Sequence, residues 1–378
     1  MSGAISSVFR LPSVAKEPAL TGCDYTFERA LVMTVRVGII GLGRMGITHF
    51  SIINSRPDVQ IVATADPSML VNKLLGKYAG VKTYKDYSQM LAKEDLDAVL
   101  LCTPPAMNYE ILKAVAERGL HAFVEKPFTL SAEHGRELSA IFASKGLVNQ
   151  VGYVNRFNDV FARTQAMVAD GLIGRVIRFR SEMYSATITR AQEDDGWRAT
   201  HANGGGATYE MASHAIDLIT FLFGKPDHIS GTSLSRLFSQ HVEDIVASNF
   251  RYAGGLGGSI YVNWSDASFR KPTNKLEIFG ESGKILADQH GMKLYLASAR
   301  PDLGFAKGWN QLYITGLFSS VPFYLRGIEF TAQLYDFVDC IADRGRTTRC
   351  DFSAATDTLA VIDTMFADNA HNESELAR

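Results

Sequence analysis

Short apolar runs alternate with amphipathic stretches through the first half of the chain. VRVGII (35–40) has strand length, and the stretch behind it spaces Ile47, Phe50 and Ile53 three apart, as on one face of a helix. QIVATAD reads as the next strand, SMLVNKLLGKYAG as a helix, DAVLLCTPP as a buried strand, and NYEILKAVAERG as a helix stopped by Gly119. HAFVEKP is a further strand. SAEHGRELSAIFASKG is a helix with Ser131 as N-cap and Gly146 just past its end, and LVNQVGYVNRF is another strand. Strands alternating with helices predict a parallel, doubly wound sheet, whose ligands lie beyond the C-terminal strand ends.

Beyond Arg156 the pattern changes. DVFARTQAMVADGLIG is a helix, RVIRFRSEMYS a strand of alternating character, and a polar loop leads into a helix over 207–223 with Met211, Ala215, Leu218 and Leu222 on its apolar line. EDIVASNFRY, GGSIYVNWS, NKLEIFGESGKILADQ and MKLYLA read as consecutive strands with glycine turns. One face of such a sheet packs on helices; the other, bearing Tyr261, is a candidate surface for self-association into a homodimer or homotetramer. Helices around 329–344 and 353–369 close the chain. The aromatic stretch 299–325 has weak periodicity and leaves a lid, an insertion and a packed excursion at an interface all open. Residues 1–33 have no sustained period and are expected to be an extension ahead of the fold, with Met33 as its real beginning. Two domains are expected, 34–153 and 154–378.

Composition narrows the function classes. A formal net charge of −2 over 378 residues argues against a partner chosen by bulk charge, so neither nucleic acid nor an anionic membrane is expected. No apolar run is long enough to span a bilayer. Cys23, Cys102, Cys340 and Cys350 lack metal-ligand spacing, so no metal site is expected and a reducing, cytoplasmic setting fits.

The chemistry concentrates at strand ends. GLGRMG supplies Gly41, Gly43 and Gly46, with Arg44 and Met45 between them. The first glycine permits a tight turn, the second a close backbone approach to a pyrophosphate, and the third the packing of helix on strand. Asp66 ends the second strand 20 residues after Gly46, where a carboxylate matches a ribose diol and repels a 2′-phosphate, favouring NAD over NADP. Thr103, Pro104, Glu125, Lys126 and, at the next strand end, Asn155 and Arg156 fall at the same mouth. On the later helix Glu210, His214 and Asp217 share one stripe, preceded by Gly204, Gly205 and Gly206.

GLGRMG, CTPP, VEKPF, GYVNRF and GGGATYEMASHAIDL occur in that order, and from about residue 34 to 365 the chain resembles the glucose–fructose oxidoreductase and inositol dehydrogenase family. The resemblance implies an α/β protein: an N-terminal Rossmann doubly wound parallel sheet plus a C-terminal α/β domain with an open, mainly antiparallel sheet. C-terminal helices would brace the first domain. It also implies NAD(P)-dependent oxidation or reduction of sugars and cyclitols. In that chemistry His214 suits a base or proton relay, Lys126 a donor to the substrate oxygen, and Glu210 an orienting or relaying carboxylate. Asn155, Trp197 and Arg198 are substrate-wall candidates; Gly41, Gly43, Arg44, Met45, Gly46, Asp66, Thr103, Pro104, Glu125, Lys126 and Arg156 are cofactor-side candidates. Two departures stand out: the family usually has Asp at Glu210 and often His at Asn108. The expected activity is hydride transfer between NAD and a secondary alcohol. The alternatives are a redox-neutral conversion on tightly held NAD, and a non-catalytic sensor, which would be expected to have lost Lys126 or His214.

Overall fold

The computed structural model describes residues 34–191, 196–317 and 320–376, so the expectation for 1–33 lies outside the described residues. The first half contains β1 (Val35–Ile40), α1 (Arg44–Ile53), β2 (Val59–Ala65), α2 (Met69–Tyr78), β3 (Lys82–Tyr84), α3 (Tyr87–Lys93), β4 (Ala98–Leu101), α4 (Pro105–Glu117), β5 (His121–Val124), α5 (Ala132–Ser144) and β6 (Asn149–Val151). The strands form one sheet in the order β3-β2-β1-β4-β5-β6, and every pair is parallel. Strand order reverses between β1 and β4, and that switch point opens the crevice in which such sheets bind ligands.

The second half follows with α6 (Asp159–Ala169), β7 (Val176–Tyr184), α7 (Ser213–Phe223), β8 (His228–Ser235), β9 (Ile245–Arg251), β10 (Gly257–Asn263), β11 (Thr273–Gly280), β12 (Gly283–Asp288), β13 (Gly291–Leu296), β14 (Gly308–Tyr313), α8 (Ile314–Leu317), α9 (Ile328–Ala342) and α10 (Phe352–Leu376). Its sheet runs β14-β13-β12-β11-β7-β10-β9-β8, antiparallel except where β7 and β10 pair in parallel. The alternation predicted for β10 holds, with Ile260 and Val262 buried and Tyr261 on the other face.

Three local readings change. LVNQVGYVNRF stops being a strand at Val151; Val154–Phe157 is a 3-10 turn that swings the chain toward the second half. The helix expected over 207–223 opens with a π-helical turn, Thr208–Ala212, before α7. The unassigned stretch 299–325 supplies edge strand β14 and α8, and then sends Phe323 and Leu325 against the core of the first sheet.

Helices α9 and α10 both pack on the first half. Leu334, Phe337, Val338 and Ile341 of α9 are buried against β1 residues and Phe123 of β5. Each such side chain contributes roughly 1.5–3 kcal/mol, enough to make α9 part of that core. Phe352, Ala355 and Leu359 of α10 enter the other face of the first core, and Val361, Ile362 and Met365 of the same helix enter the second. Among the described residues no helix is long and apolar enough to cross a membrane.

Candidate active site

The glycine turn after β1 is built for close approach. Gly41 has φ +88°, and a Cβ there would lie 2.7 Å from the Cys102 backbone. A Cβ on Gly46 would fall 1.9 Å from the Gly41 carbonyl oxygen, so α1 can pack on β1 only with glycine there. Gly43 differs: nothing lies within 4 Å of its Cβ position, it is exposed, and it caps α1 without a side-chain bond. An open glycine before an uncapped helix N-terminus fits a pyrophosphate. Exposed Arg44 and half-buried Met45 follow it. Asp66, at the end of β2, accepts from the Leu42 N–H (2.6 Å) and the Ser68 N–H (2.8 Å), which fixes its carboxylate beside the turn. These residues suit the adenosine diphosphate half of a dinucleotide.

Half-buried Thr103 and Pro104 close the far side of the turn. The Thr103 hydroxyl donates to Asn108 Oδ1 (2.7 Å), and Asn108 Nδ2 donates to the Pro127 carbonyl (3.4 Å). Asn108 is therefore a buried tie between two strand ends. The Lys126–Pro127 peptide bond is cis. Glu125 is held from α1: its Oε1 lies 2.6 Å from Nε2 of fully buried His49. Sequence reasoning missed His49; its only signal was a polar residue on a helix face that otherwise points inward.

Lys126 crosses to the second half. Its Nζ donates to the Glu210 carbonyl at 2.8 Å and lies 3.9 Å from Glu210 Oε1. A π turn shifts the helical ladder by one residue, and such turns gather at functional sites. Here Ser213 Oγ donates to the Tyr209 carbonyl (2.6 Å) and Lys126 to the next one along. Arg198 Nε bonds Glu210 Oε2 at 3.1 Å, with its guanidinium carbon 4.4 Å above the half-buried Trp197 ring. Burial pushes the Glu210 carboxyl up, but Lys126 and Arg198 outweigh it and the net shift is downward. Glu210 is thus held as a carboxylate between two cations.

One helical turn on, His214 is half-buried, with its ring 6.0 Å from Tyr153 in an edge-on arrangement. Its Nδ1 is enclosed with no hydrogen-bond partner. Burial first and the Lys126 charge second hold its pKa well below the usual histidine range, so the imidazole is neutral. Lys126, at the end of β5, therefore lies beside Glu210 and His214. Asn155 is half-buried in the adjoining 3-10 turn.

Arg156 goes elsewhere. Expected at the cofactor, it points inward, with Nε and Nη2 on the Asp217 carboxylate at 2.8–3.1 Å and Nη1 on the Arg349 carbonyl at 3.0 Å. Asp217, on the same stripe as Glu210 and His214, is fully buried and committed to that pair. The two form an interior brace between the 3-10 turn, α7 and the chain ahead of α10. Among the described residues no group of three or more His, Cys, Asp or Glu side chains is placed to hold a metal ion.

Comparison with known proteins bears on family and fold. Residues 35–153 match the model described as oxidoreductase family, NAD-binding Rossmann fold, and residues 161–286 match the GFO/IDH/MocA C-terminal domain. Scyllo-inositol 2-dehydrogenase (NAD(+)) of Bacillus subtilis (strain 168) is 26% identical over 263 residues, 66% of this chain and 73% of that protein. The uncharacterized oxidoreductase YdgJ of Escherichia coli (strain K12) is 29% identical over 195 residues, 51% of this chain; the match spans about half of the relative's length, 54%. Among solved structures, levoglucosan dehydrogenase in complex with NADH superposes with a TM-score of 0.79 at 22% identity, over 89% of this chain and 97% of that one, a likeness of fold. With one family model on the parallel sheet and its companion on the domain that follows, the chain belongs to the GFO/IDH/MocA oxidoreductase family.

Proposed function

We propose that this protein is an NAD-dependent dehydrogenase that moves a hydride between nicotinamide and a secondary alcohol of a sugar, cyclitol or sugar derivative. One observation carries the reading: a lysine ammonium, a carboxylate and a neutral imidazole converge where the glycine turn opens its crevice. Nicotinamide supplies the hydride acceptor. His214, held neutral, takes the hydroxyl proton at Nε2, the ring nitrogen other than the enclosed Nδ1. Lys126 Nζ donates to the same oxygen and stabilises the negative charge that develops as the proton leaves. Glu210 holds the ammonium in place and, through Arg198, ties the Trp197 segment to the site. In the reverse direction the same groups deliver a proton to the carbonyl oxygen. Trp197, Arg198 and Asn155 are assigned to the polyol. Asp66 supports NAD over NADP, since a 2′-phosphate would sit against a fixed carboxylate.

Self-association through the second sheet belongs to the same reading. Its outer face exposes Phe279, Tyr295, Trp309 and Tyr313, all on strands β11, β13 and β14, with Trp309 and Tyr295 in edge contact at 5.4 Å. A homodimer or homotetramer would cover them. The cytoplasmic setting is supported by the free thiols of Cys102, Cys340 and Cys350. The test is NADH formation from NAD across a panel of sugars, cyclitols and nucleotide-linked sugars. Product formed on co-purified NAD without free NADH would instead favour the redox-neutral conversion, and silence across the panel would reject the dehydrogenase.

A further inference from the structure

The first turn of a helix leaves N–H groups without internal partners, and the cap position here, Ala207, offers no side-chain bond. Glu243, from the connection between β8 and β9, supplies it. Its Oε1 accepts from the Thr208 N–H at 2.6 Å, and its carbonyl accepts from the Ala207 N–H at 3.0 Å. The carboxylate is almost fully buried and presses on Gly206, where a Cβ would lie 2.6 Å from Oε1. Its mount is rigid. The next residue, Asp244, accepts from the Leu237, Phe238 and Ser239 N–H groups and from Trp264 Nε1.

A carboxylate this enclosed calls for a compensating charge. Glu243 Oε2 meets His201 Nε2 at 2.5 Å. His201 lies three residues beyond Arg198, which bonds Glu210 in the π turn. The segment 197–203 is therefore pinned at two points on the helix that carries Glu210 and His214: Arg198 on Glu210, and His201 on the helix cap. It folds back tightly between them. Gly205 N–H donates to the Thr200 carbonyl, and a Cβ on Gly205 would lie 2.1 Å from the Arg198 carbonyl oxygen.

We propose that Glu243 and His201 are positioning residues of the active site: the Glu243 carboxylate caps the catalytic helix, and its bond to His201 holds the Trp197–Arg198 segment over the substrate position. Ionisation of His201 then sets how firmly the segment is held. Around His201, Glu243 provides the acting charge, Phe366 of α10 presents a ring edge at 5.2 Å, and burial pushes the nearby Tyr209 phenol up to about 12, so that it stays neutral. Asp363 of α10 acts on Tyr209. The Glu243 bond raises the His201 pKa against partial burial. The clamp is accordingly complete below the ordinary histidine pKa and is lost as pH rises through the raised value.

The kinetic arm rests on the dehydrogenase reading; the other arms do not. In the full-length protein, His201 is followed by NMR titration, assigned with His201→Gln, and exchange of the Thr208 amide is measured. The expected result is a His201 pKa above the ordinary value that drops in Glu243→Gln, together with faster Thr208 exchange in that variant. With a polyol that yields NADH, both variants should raise KM about tenfold with kcat nearly unchanged, as for a lost contact worth one decade. Both should also lose the alkaline decline of kcat/KM. An ordinary His201 titration in the wild type overturns the proposal, as does a His201→Gln enzyme with unaltered KM and pH profile. If Glu243→Gln does not fold, His201→Gln decides alone, because the cap remains in place. If no polyol yields NADH, the dehydrogenase reading fails, while the titration and the amide exchange still decide the clamp.

Discussion

Replacing Lys126 by Met removes a charge while keeping most of the side chain's length. The structure gives the scale of the loss. The ammonium lies 3.9 Å from a Glu210 carboxylate oxygen and 2.8 Å from the neighbouring carbonyl, so a substrate oxygen bound at the same nitrogen would sit at comparable range. At an effective dielectric of about 20, a unit charge about 4 Å away is worth about 4 kcal/mol. Loss of a single oxyanion donor elsewhere costs about 10²–10³ in rate, or roughly 2.7–4 kcal/mol. We therefore expect kcat to fall about 10²–10³-fold, with NADH affinity, read by fluorescence titration, largely kept because the substitution leaves the Gly41–Gly46 turn and Asp66 unaltered. The pH profile supplies a second sign. Lys126 adds to burial in holding the His214 pKa down. Without it that pKa rises, so more imidazole is protonated at a given acid pH. The acid limb of kcat/KM for alcohol oxidation should then move to higher pH. Near wild-type turnover in Lys126→Met, or an unmoved acid limb with kcat reduced, would refute the assignment.

Gly43→Ala should leave thermal stability close to wild type, because no atom lies within 4 Å of the new Cβ, yet weaken NADH binding at least about tenfold by filling the pyrophosphate approach. Gly46→Ala, whose Cβ would collide with the Gly41 carbonyl, should damage binding and folding together, so calorimetry and NADH titration separate the two glycines. Asp66→Ala should lower the ratio of kcat/KM for NAD over NADP; a wild type that already prefers NADP would reject the role given to this carboxylate. Arg156→Met strands the buried Asp217 carboxylate and should cost about 3–5 kcal/mol of stability in denaturant unfolding.

What the sequence revealed depended on how locally each feature is encoded. β1, β2, β4 and β5 are apolar runs ending in diagnostic residues, so the parallel sheet, the glycine turn and the place of Lys126 were all legible. β3 has three residues, half exposed, and β8 reads HISGTSLS, with too little apolar contrast to stand out. β14 is an edge strand whose residues are all at least partly exposed, and its stretch carried no clear period. Arg156 was misplaced for a different reason. Its partner Asp217 lies 61 positions away, and no local pattern states that two such groups will meet. The strand-end rule placed Arg156 at the mouth because nothing short-range signalled that the chain turns away after Val151. His49 with Glu125 and His201 with Glu243 were hidden in the same manner.

Along one helix, Glu210, His214 and Asp217 share a stripe but end in opposite states, and the difference separates brace from site. The Asp217 carboxylate accepts from Arg156 Nε and Nη2 and, at 3.4 Å, from Thr358 Oγ1. Paired this completely, it has nothing to offer a ligand. Glu210 is held by contacts at its two carboxylate oxygens from Lys126 and Arg198, but it remains partly exposed. His214 is less satisfied still, with an enclosed Nδ1 that has no partner, a condition that costs about 1–3 kcal/mol for a buried polar group. A fold retains such a cost where the same atoms are needed for something other than stability. The π turn lies on the incompletely paired side, and α7 runs regularly through Asp217. Satisfaction of hydrogen-bonding capacity, read residue by residue, therefore puts Asp217 with the interior brace and leaves Glu210 and His214 to the proposed site, although spacing alone put all three residues on one stripe.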